Sequence, residues 1–239
     1  MKNFLFEKNY PSLSYIANNW PRTKPILKKF VMSNHKKPNF YKLCINLLRD
    51  MNVNKIGKYQ LILKKLSRIC SLNKTSNTYH DQHHFKVVVV LACLLAKLTG
   101  LQHSDKLFLI IIALSHDIEH QGRRILRTPY YQEIKSFNSL KYILANVVYK
   151  NKDLNRIKRI FRSTFFLEKP KNVNDNLEKI ILDADVLASL MFGIEAGIDF
   201  ATRLKHEIRF ENDSKILFQG FLQLISEKSL YLETSKKSC

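Results

Sequence analysis

Five of the eight histidines fall into two short segments, and their spacing is the feature of this sequence that could carry chemistry. His80 and His84 are four residues apart in the first segment, as are His116 and His120 in the second. On a helix, side chains four residues apart project from the same face. Two facing helices would therefore bring several imidazoles to one point, together with the carboxylate of Asp117.

A mixture of imidazole and carboxylate donors is typical of metal sites that keep open coordination positions. Zn²⁺, Mn²⁺, Fe²⁺ and Mg²⁺ accept such ligands and leave room for water or a phosphoryl oxygen. His116 and Asp117 follow an apolar run over residues 107–114, so both groups must be paired, metal-bound or placed at a cavity mouth. His83 is expected on the solvent side of its helix.

The elements that must position these residues follow from the hydrophobic periodicity. The segment over residues 106–116 is apolar on every side, which is typical of a central, buried helix. Thr128 and Pro129 give an N-cap and first-turn signal for another helix. We predict helices over residues 79–98, 106–116, 129–148, 153–166 and 177–193, followed by two amphipathic segments to about residue 225.

Composition favours the same fold class. The 239 residues include only six Gly and six Pro and show no repeat, which argues against sandwiches, barrels and solenoids. With 45% hydrophobic residues the chain can bury a sizeable core. We predict an all-α protein, a compact multi-helix domain with a basic N-terminal extension.

The positive charge is unevenly distributed. The chain carries a net charge of +20, and residues 1–78 hold 16 Lys and Arg against two acidic residues. We predict a basic helical extension over residues 1–78 that packs on the body, a core over residues 79–226 and a flexible tail over residues 227–239. A nucleic-acid or anionic-membrane binding module using the basic front segment is therefore an alternative function.

The cysteines and the apolar runs bear on the compartment in which the protein acts. The four cysteines show no paired spacing, so neither a disulfide framework nor a thiolate zinc site is indicated. We find no signal peptide, and the longest apolar run, over residues 87–96, is too short to span a bilayer. A cytoplasmic protein is the expectation.

The two histidine segments carry a family resemblance. The patterns Tyr-His-Asp-x-x-His over residues 79–84 and His-Asp-x-x-His-x-Gly over residues 116–122 resemble the paired signatures of the HD superfamily of metal-dependent phosphohydrolases. The cyclic-nucleotide phosphodiesterase branch is the most similar, although that branch has an asparagine where Asp81 stands. The superfamily also uses a late aspartate; periodicity leaves Asp183 and Asp185 open, and the resemblance favours Asp185 in its Ala-Asp pair.

The resemblance implies hydrolysis of a phosphoester, above all of a nucleotide, with a nucleoside phosphate as the alternative substrate. It implies two divalent metal ions (Zn, Fe, Mn or Mg) and a hydroxide between them as the nucleophile. His80 would be the general acid, oriented by Glu133, and His120 would lie near the second ion without binding it. Asp117 would bridge the two ions. The implied ligands of the first ion are His84, His116, Asp117 and Asp185.

The resemblance also suggests where the substrate would bind. Thr164 could match a site threonine of the family, and Gln219 with Phe221 could grip a purine base. The implied partner is a small phosphoester, and residues 1–78 could contact nucleic acid or an anionic membrane.

Overall fold

The chain folds into helices throughout the part that the structure, a computed structural model, describes. The described residues are 11–32, 39–72, 78–122, 128–145, 147, 151–165, 172–228 and 230–237. They form twelve α-helices and no β-strand, which confirms the predicted all-α class. The helices are α1 (Leu13–Asn18), α2 (Lys24–Met32), α3 (Phe40–Asp50), α4 (Tyr59–Cys70), α5 (Gln82–Leu98), α6 (His103–Ser115), α7 (Tyr131–Ile143), α8 (Asn151–Ser163), α9 (Asn176–Leu190), α10 (Ile194–Ile208), α11 (Ser214–Lys228) and α12 (Glu233–Lys236).

Helices α5 and α6 form the centre of the fold. Side chains 82–96 of α5 and 109–115 of α6 are all buried, as expected for helices that are apolar on every side. Helix α5 packs most extensively against α9 and α6, and α9 also packs against α6. Three neighbouring helices therefore converge around the residues that follow the apolar run of α6. None of the described helices combines the length and apolar composition needed to cross a bilayer.

The basic front segment shares the core of the body. Leu13 of α1, Leu27 of α2, Phe40 of α3 and Leu63 of α4 are buried and belong to one apolar cluster with α5 and α6. Helices α1, α2 and α3 each contact α5, and α4 contacts α6. The described part of residues 1–78 therefore covers the central helices directly.

Two polar side chains of α5 bind the end of α2. The Nε2 of His83 lies 2.9 Å from the carbonyl oxygen of Val31, and the Nζ of Lys86 donates to the carbonyl of Phe30 at 2.8 Å. Cations and N–H donors are favourable at the carboxyl end of a helix, where carbonyls lack partners. The prediction that His83 faces solvent is wrong, because its side chain is 4% exposed beneath α2.

The last described residues also pack on the body. The carboxylate of Asp183 on α9 accepts the backbone N–H groups of Tyr231 and Leu232 at 2.9 and 2.8 Å. Leu230 and Leu232 are buried. The tail expected to be flexible from residue 227 thus includes a segment, residues 230–237, whose backbone is bound by a buried carboxylate.

Helix α5 begins later than the sequence predicts. Asp81 has extended backbone dihedrals, and its Oδ1 accepts the N–H groups of His83 and His84 at 2.8 and 3.1 Å. It is therefore the N-cap, a position for which a carboxylate is strongly preferred. His80 lies in the turn before the helix, so the prediction of one helix over residues 79–98 is wrong at its first residues.

Helix α6 likewise ends before the second histidine pair is complete. His116 is its C-cap, and the N–H of His120 bonds to the carbonyl of Asp117 in the following turn. The two histidine pairs therefore straddle the start of α5 and the end of α6. They come together because these two helix ends meet, not because each pair shares a helical face.

Candidate metal centre

The start of α5, the end of α6 and the middle of α9 bring four donor atoms to one point. The Nε2 of His84 lies 3.3 Å from Asp117 Oδ2 and 3.5 Å from Asp185 Oδ1. The Nε2 of His116 lies 3.1 Å from Asp117 Oδ2 and 3.7 Å from Asp185 Oδ1. The two Nε2 atoms are 3.3 Å apart. The structure thus joins all four residues that the resemblance implies as ligands of the first ion.

These separations fit a divalent cation. Four donors arranged tetrahedrally around one ion at about 2.1 Å would lie about 3.4 Å from one another. The Nδ1 of His116 lies 3.0 Å from the carbonyl oxygen of Ala113, which holds the proton on Nδ1 and turns the Nε2 lone pair towards the other donors. An imidazole oriented in this way is ready to bind a metal.

The electrostatics of the group also demand a positive charge. Burial lowers the pKa of His116, but Asp117 and Asp185 outweigh it and hold that pKa well above its ordinary value. Burial raises the pKa of Asp117, but His116 and His80 outweigh it and hold that pKa well below its ordinary value. A buried carboxylate of this kind requires a cation beside it, either a protonated imidazole or a metal ion.

A second group of side chains lies beside the first. The Oε1 of Glu207, on α10, contacts the Nδ1 of His80 and lies 3.0 Å from the Nδ1 of His120. The two imidazole rings stack with centroids 3.5 Å apart. Because the carboxylate accepts from the Nδ1 of His80, that ring presents its Nε2 on the opposite side. The Nε2 of His80 lies 3.6 Å from Asp117 Oδ2, which places it at the edge of the metal-ligand group.

Glu207 is held by the backbone as well. Its Oε2 accepts the N–H groups of Tyr79 and His80 at 2.7 and 3.0 Å, and its side chain is fully buried. Burial raises the pKa of Glu207, but the hydrogen bonds from His120 and His80 outweigh it and hold that pKa well below its usual range. For His80, burial and the neighbouring His120 lower the pKa, against the opposing effect of Asp117.

The carboxylate that contacts the His80 ring belongs to Glu207, and not to Glu133, which the resemblance implies for this position. The signal for Glu207 is an acidic residue on the apolar side of α10, one turn after Leu204 and two after Phe200. Glu133 lies near the centre instead, where burial and the charge of Asp117 raise its pKa to about 7.

The two aspartates of α9 take different roles. Asp185 belongs to the metal-ligand group, whereas Asp183 points the other way and binds the backbone of residues 231 and 232. Of the two aspartates that periodicity left open, Asp185 is therefore the one that lies with His84, His116 and Asp117.

The residues expected to bind substrate are placed as follows. The hydroxyl of Thr164 donates to the carbonyl of Phe161 at 2.7 Å, at the end of α8. Gln219 is exposed on α11. Phe221 lines a small apolar pocket whose wall includes Tyr79, and the Tyr79 ring packs against His84 with centroids 5.0 Å apart. Of the three, Phe221 thus shares a pocket with Tyr79, whose ring packs against the centre.

Comparison with known proteins gives no family assignment. A scan against models of protein families, a search of curated proteins and a search of solved structures each found no match to this chain. The chemistry of the centre is therefore inferred from its own donor atoms, their spacing and their burial.

Proposed function

We propose that this protein is a metal-dependent phosphohydrolase of the HD type that cleaves a phosphoester bond of a nucleotide. The observation that carries the proposal is a group of four donor atoms in which each imidazole Nε2 lies 3.1 to 3.7 Å from both carboxylate oxygens, with the Nε2 of His80 at its edge. A nucleotide is proposed because the order and spacing of these residues resemble the phosphodiesterase branch. Cyclic nucleotides are the first substrates to test, and nucleoside phosphates are the alternative.

Two divalent ions belong to the proposal. The four donors would hold the first ion, and Asp117 would be shared with the second. When bound, such ions lower the pKa of a coordinated water and neutralise charge on phosphoryl oxygens. The protein contributes a buried donor set, since the side chains of His84 and His116 are 0% exposed.

His80 is the proposed general acid. Its Nδ1 proton is held by Glu207, so the Nε2 is the atom that can carry a proton to the oxygen of the leaving group. Burial and the neighbouring His120 lower the pKa of His80, so its protonated form relies on the nearby carboxylates of Asp117 and Glu207, which oppose that shift. His120 is held by the same carboxylate and supports the ring of His80 by stacking on it.

Turnover by the purified full-length protein tests the proposal. The protein is loaded with Mn²⁺, Fe²⁺, Zn²⁺ or Mg²⁺ and assayed against cyclic nucleotides, nucleoside phosphates and bis(p-nitrophenyl) phosphate. We expect turnover that requires a metal and is lost in Asp117→Asn, while His206→Asn, an exposed control on α10, keeps it. Absence of turnover with every metal, or unchanged turnover in Asp117→Asn, would refute the proposal.

The role of His80 is tested by the choice of leaving group. His80→Asn should slow hydrolysis of an alkyl phosphoester by roughly 10²- to 10⁴-fold, because general acid catalysis is lost. Hydrolysis of the p-nitrophenyl ester should fall much less, since p-nitrophenolate leaves without being protonated. Equal loss with both substrates would contradict the assignment of His80 as the acid.

A further inference from the structure

Arg203 on α10 binds three parts of the segment that begins α5. Its Nε donates to the carbonyl of Thr78 at 2.9 Å, and its Nη2 donates to Asp81 Oδ2 at 2.6 Å. Its Nη1 lies 2.7 Å from the Nδ1 of His83. The guanidinium is mostly buried, with 17% of the side chain exposed. A planar cation with several fixed donors is suited to hold three acceptors at once.

The carboxylate of Asp81 is shared between two tasks. Its Oδ1 caps α5 by accepting the N–H groups of His83 and His84, and its Oδ2 receives Arg203. An asparagine at this position could cap the helix but would offer no charge to the guanidinium. The negative charge of Asp81 therefore complements the positive charge of Arg203.

His83 extends the contact to the front segment. Because Arg203 donates to its Nδ1, the ring carries its proton on Nε2 and donates it to the carbonyl of Val31 at the end of α2. Arg203, His83 and Val31 thus form a continuous polar connection between α10, α5 and α2.

We infer that Arg203 is a positioning residue for the metal centre, acting through Asp81 and His83. The inference rests on the proposed function, since it assigns a role at the same centre. Helix α10 holds the start of α5 at two successive turns, with Arg203 bound to Asp81 and His83, and Glu207 bound to the backbone N–H groups of residues 79 and 80. His84, whose Nε2 is a metal donor, is the next residue of that segment. Without Arg203 the first turn of α5 is released, and His84 Nε2 loses its fixed place opposite the two carboxylates.

Metal affinity, measured without turnover, tests this inference. Mn²⁺ is titrated calorimetrically into the full-length protein and into the variants Arg203→Met, Arg203→Lys and Asp81→Asn. We expect Arg203→Met to raise the Kd for Mn²⁺ by about 10- to 100-fold, the range found when partners behind metal ligands are removed. Arg203→Lys should raise it less, because an ammonium keeps the charge but not the three contacts. Lys205→Met on the same helix is the control and should bind as the wild type does.

A merely structural role is distinguished by comparing affinity with stability. Such a role would lower the urea midpoint of the metal-free protein and leave the Kd of folded molecules unchanged. A positioning role instead predicts that Arg203→Met raises the Kd of the folded protein for Mn²⁺. Asp81→Asn should also raise this Kd when introduced into the wild type, but should add little to the effect of Arg203→Met, because the two residues act as a pair. If Arg203→Met does not fold, Arg203→Lys and Asp81→Asn carry the same comparison.

The outcomes distinguish a failure of this inference from a failure of the proposed function. Folded Arg203→Met and Asp81→Asn proteins that bind Mn²⁺ within two-fold of the wild type would overturn the role of Arg203 alone. A wild type that binds Mn²⁺ but hydrolyses no phosphoester would overturn the proposed function alone. A wild type that binds no Mn²⁺ would overturn both.

Discussion

The Oε1 of Glu207 lies 3.0 Å from the Nδ1 of His120, although the two residues are far apart in the chain. The same oxygen contacts the Nδ1 of His80. This buried carboxylate therefore holds the proton of His80 on Nδ1 and turns the His80 Nε2 away from itself. The orientation of the proposed general acid thus depends on a residue of α10.

We predict that Glu207→Gln lowers kcat by about 10- to 100-fold with little change in KM for the phosphoester, because the ring of His80 is no longer held. The amide keeps the shape of the carboxylate but has only one acceptor oxygen, so it cannot serve both imidazoles and both backbone N–H groups. Steady-state kinetics on the metal-loaded protein measure this effect. Glu211→Gln, at an exposed position beyond α10, is the matched control, and equal kcat values in the two variants would contradict the prediction.

The donor set could be predicted from the sequence, but its geometry could not. Residue types and order pointed to His84, His116 and Asp117, and these residues do converge. The spacing of four was interpreted as a helical face, yet each pair straddles a helix end. Helix α5 begins after Asp81 and so excludes His80, because the Asp81 side chain bonds to the N–H groups of the first turn. Hydrophobic periodicity does not report such local hydrogen bonds between a side chain and the backbone.

Long-range partners were also beyond the sequence. Glu207 and Arg203 contact residues more than a hundred positions earlier, and periodicity carries no information on such pairs. The buried position of His83 has the same origin, since it depends on α2 packing over α5. In contrast, the buried character of α6 followed directly from its apolar composition.

The same substitution should affect stability at one aspartate of α9 and metal affinity at the other. Asp183→Asn leaves one of the two N–H groups of residues 231 and 232 without its carboxylate oxygen and should lower the free energy of unfolding by about 1 to 3 kcal/mol. Its affinity for Mn²⁺ should stay near that of the wild type. Asp185→Asn should instead weaken Mn²⁺ binding strongly while changing the stability of the metal-free protein little, because it removes a charge from a crowded acceptor group.

Urea unfolding and Mn²⁺ titration of both variants provide the measurement. Each aspartate serves as the control for the other, because the substitution, the helix and the change in charge are identical. Unchanged Mn²⁺ affinity in Asp185→Asn, or loss of affinity in Asp183→Asn with the fold intact, would contradict the assignment of Asp185 as the ligand.

Gly197 allows α10 and α11 to pack closely. A Cβ at this position would lie 2.6 Å from the Cζ of Phe218, closer than real contacts permit. Gly197→Ala should therefore lower the free energy of unfolding by about 1 to 3 kcal/mol, the usual effect of overpacking. Gly220→Ala on α11 meets open space and should raise stability by up to about 1 kcal/mol, since alanine favours the helix.

Thermal unfolding of the two glycine variants measures this difference. Phe218→Leu in the Gly197→Ala background removes the clashing ring edge and should recover part of the loss. Equal melting temperatures for Gly197→Ala and Gly220→Ala would show that the helices separate freely at this point, against the close packing seen in the structure.

Arg156 links α8 to two other parts of the fold through carboxylates. Its Nη1 donates to Asp105 at 2.8 Å, and its Nε donates to Asp175, the N-cap of α9, at 2.6 Å. Burial raises the pKa of Asp175, but the hydrogen bond and charge of Arg156 outweigh it and lower that pKa below its ordinary value. A carboxyl group with a lowered pKa in the folded state stabilises the protein above its unfolded pKa of about 3.9. That stabilisation is lost as the pH falls through the lower, folded value.

We therefore predict that Arg156→Met is less stable than the wild type by about 2 kcal/mol at pH 7, and that the difference shrinks as the pH falls below about 4. Below that pH the unfolded chain takes up a proton at Asp175, whereas Arg156 keeps the folded carboxylate ionised, so the stabilisation declines until the pH passes the lower, folded pKa. Urea unfolding at a series of pH values, at constant ionic strength, measures both curves. Lys158→Met, at an exposed position of the same helix, removes a cation without these contacts and should follow the wild type. A difference between Arg156→Met and the wild type that stays constant down to pH 2.5 would show that the ion pair does not carry the effect, because below the unfolded pKa the stabilisation from an ionised Asp175 must decline.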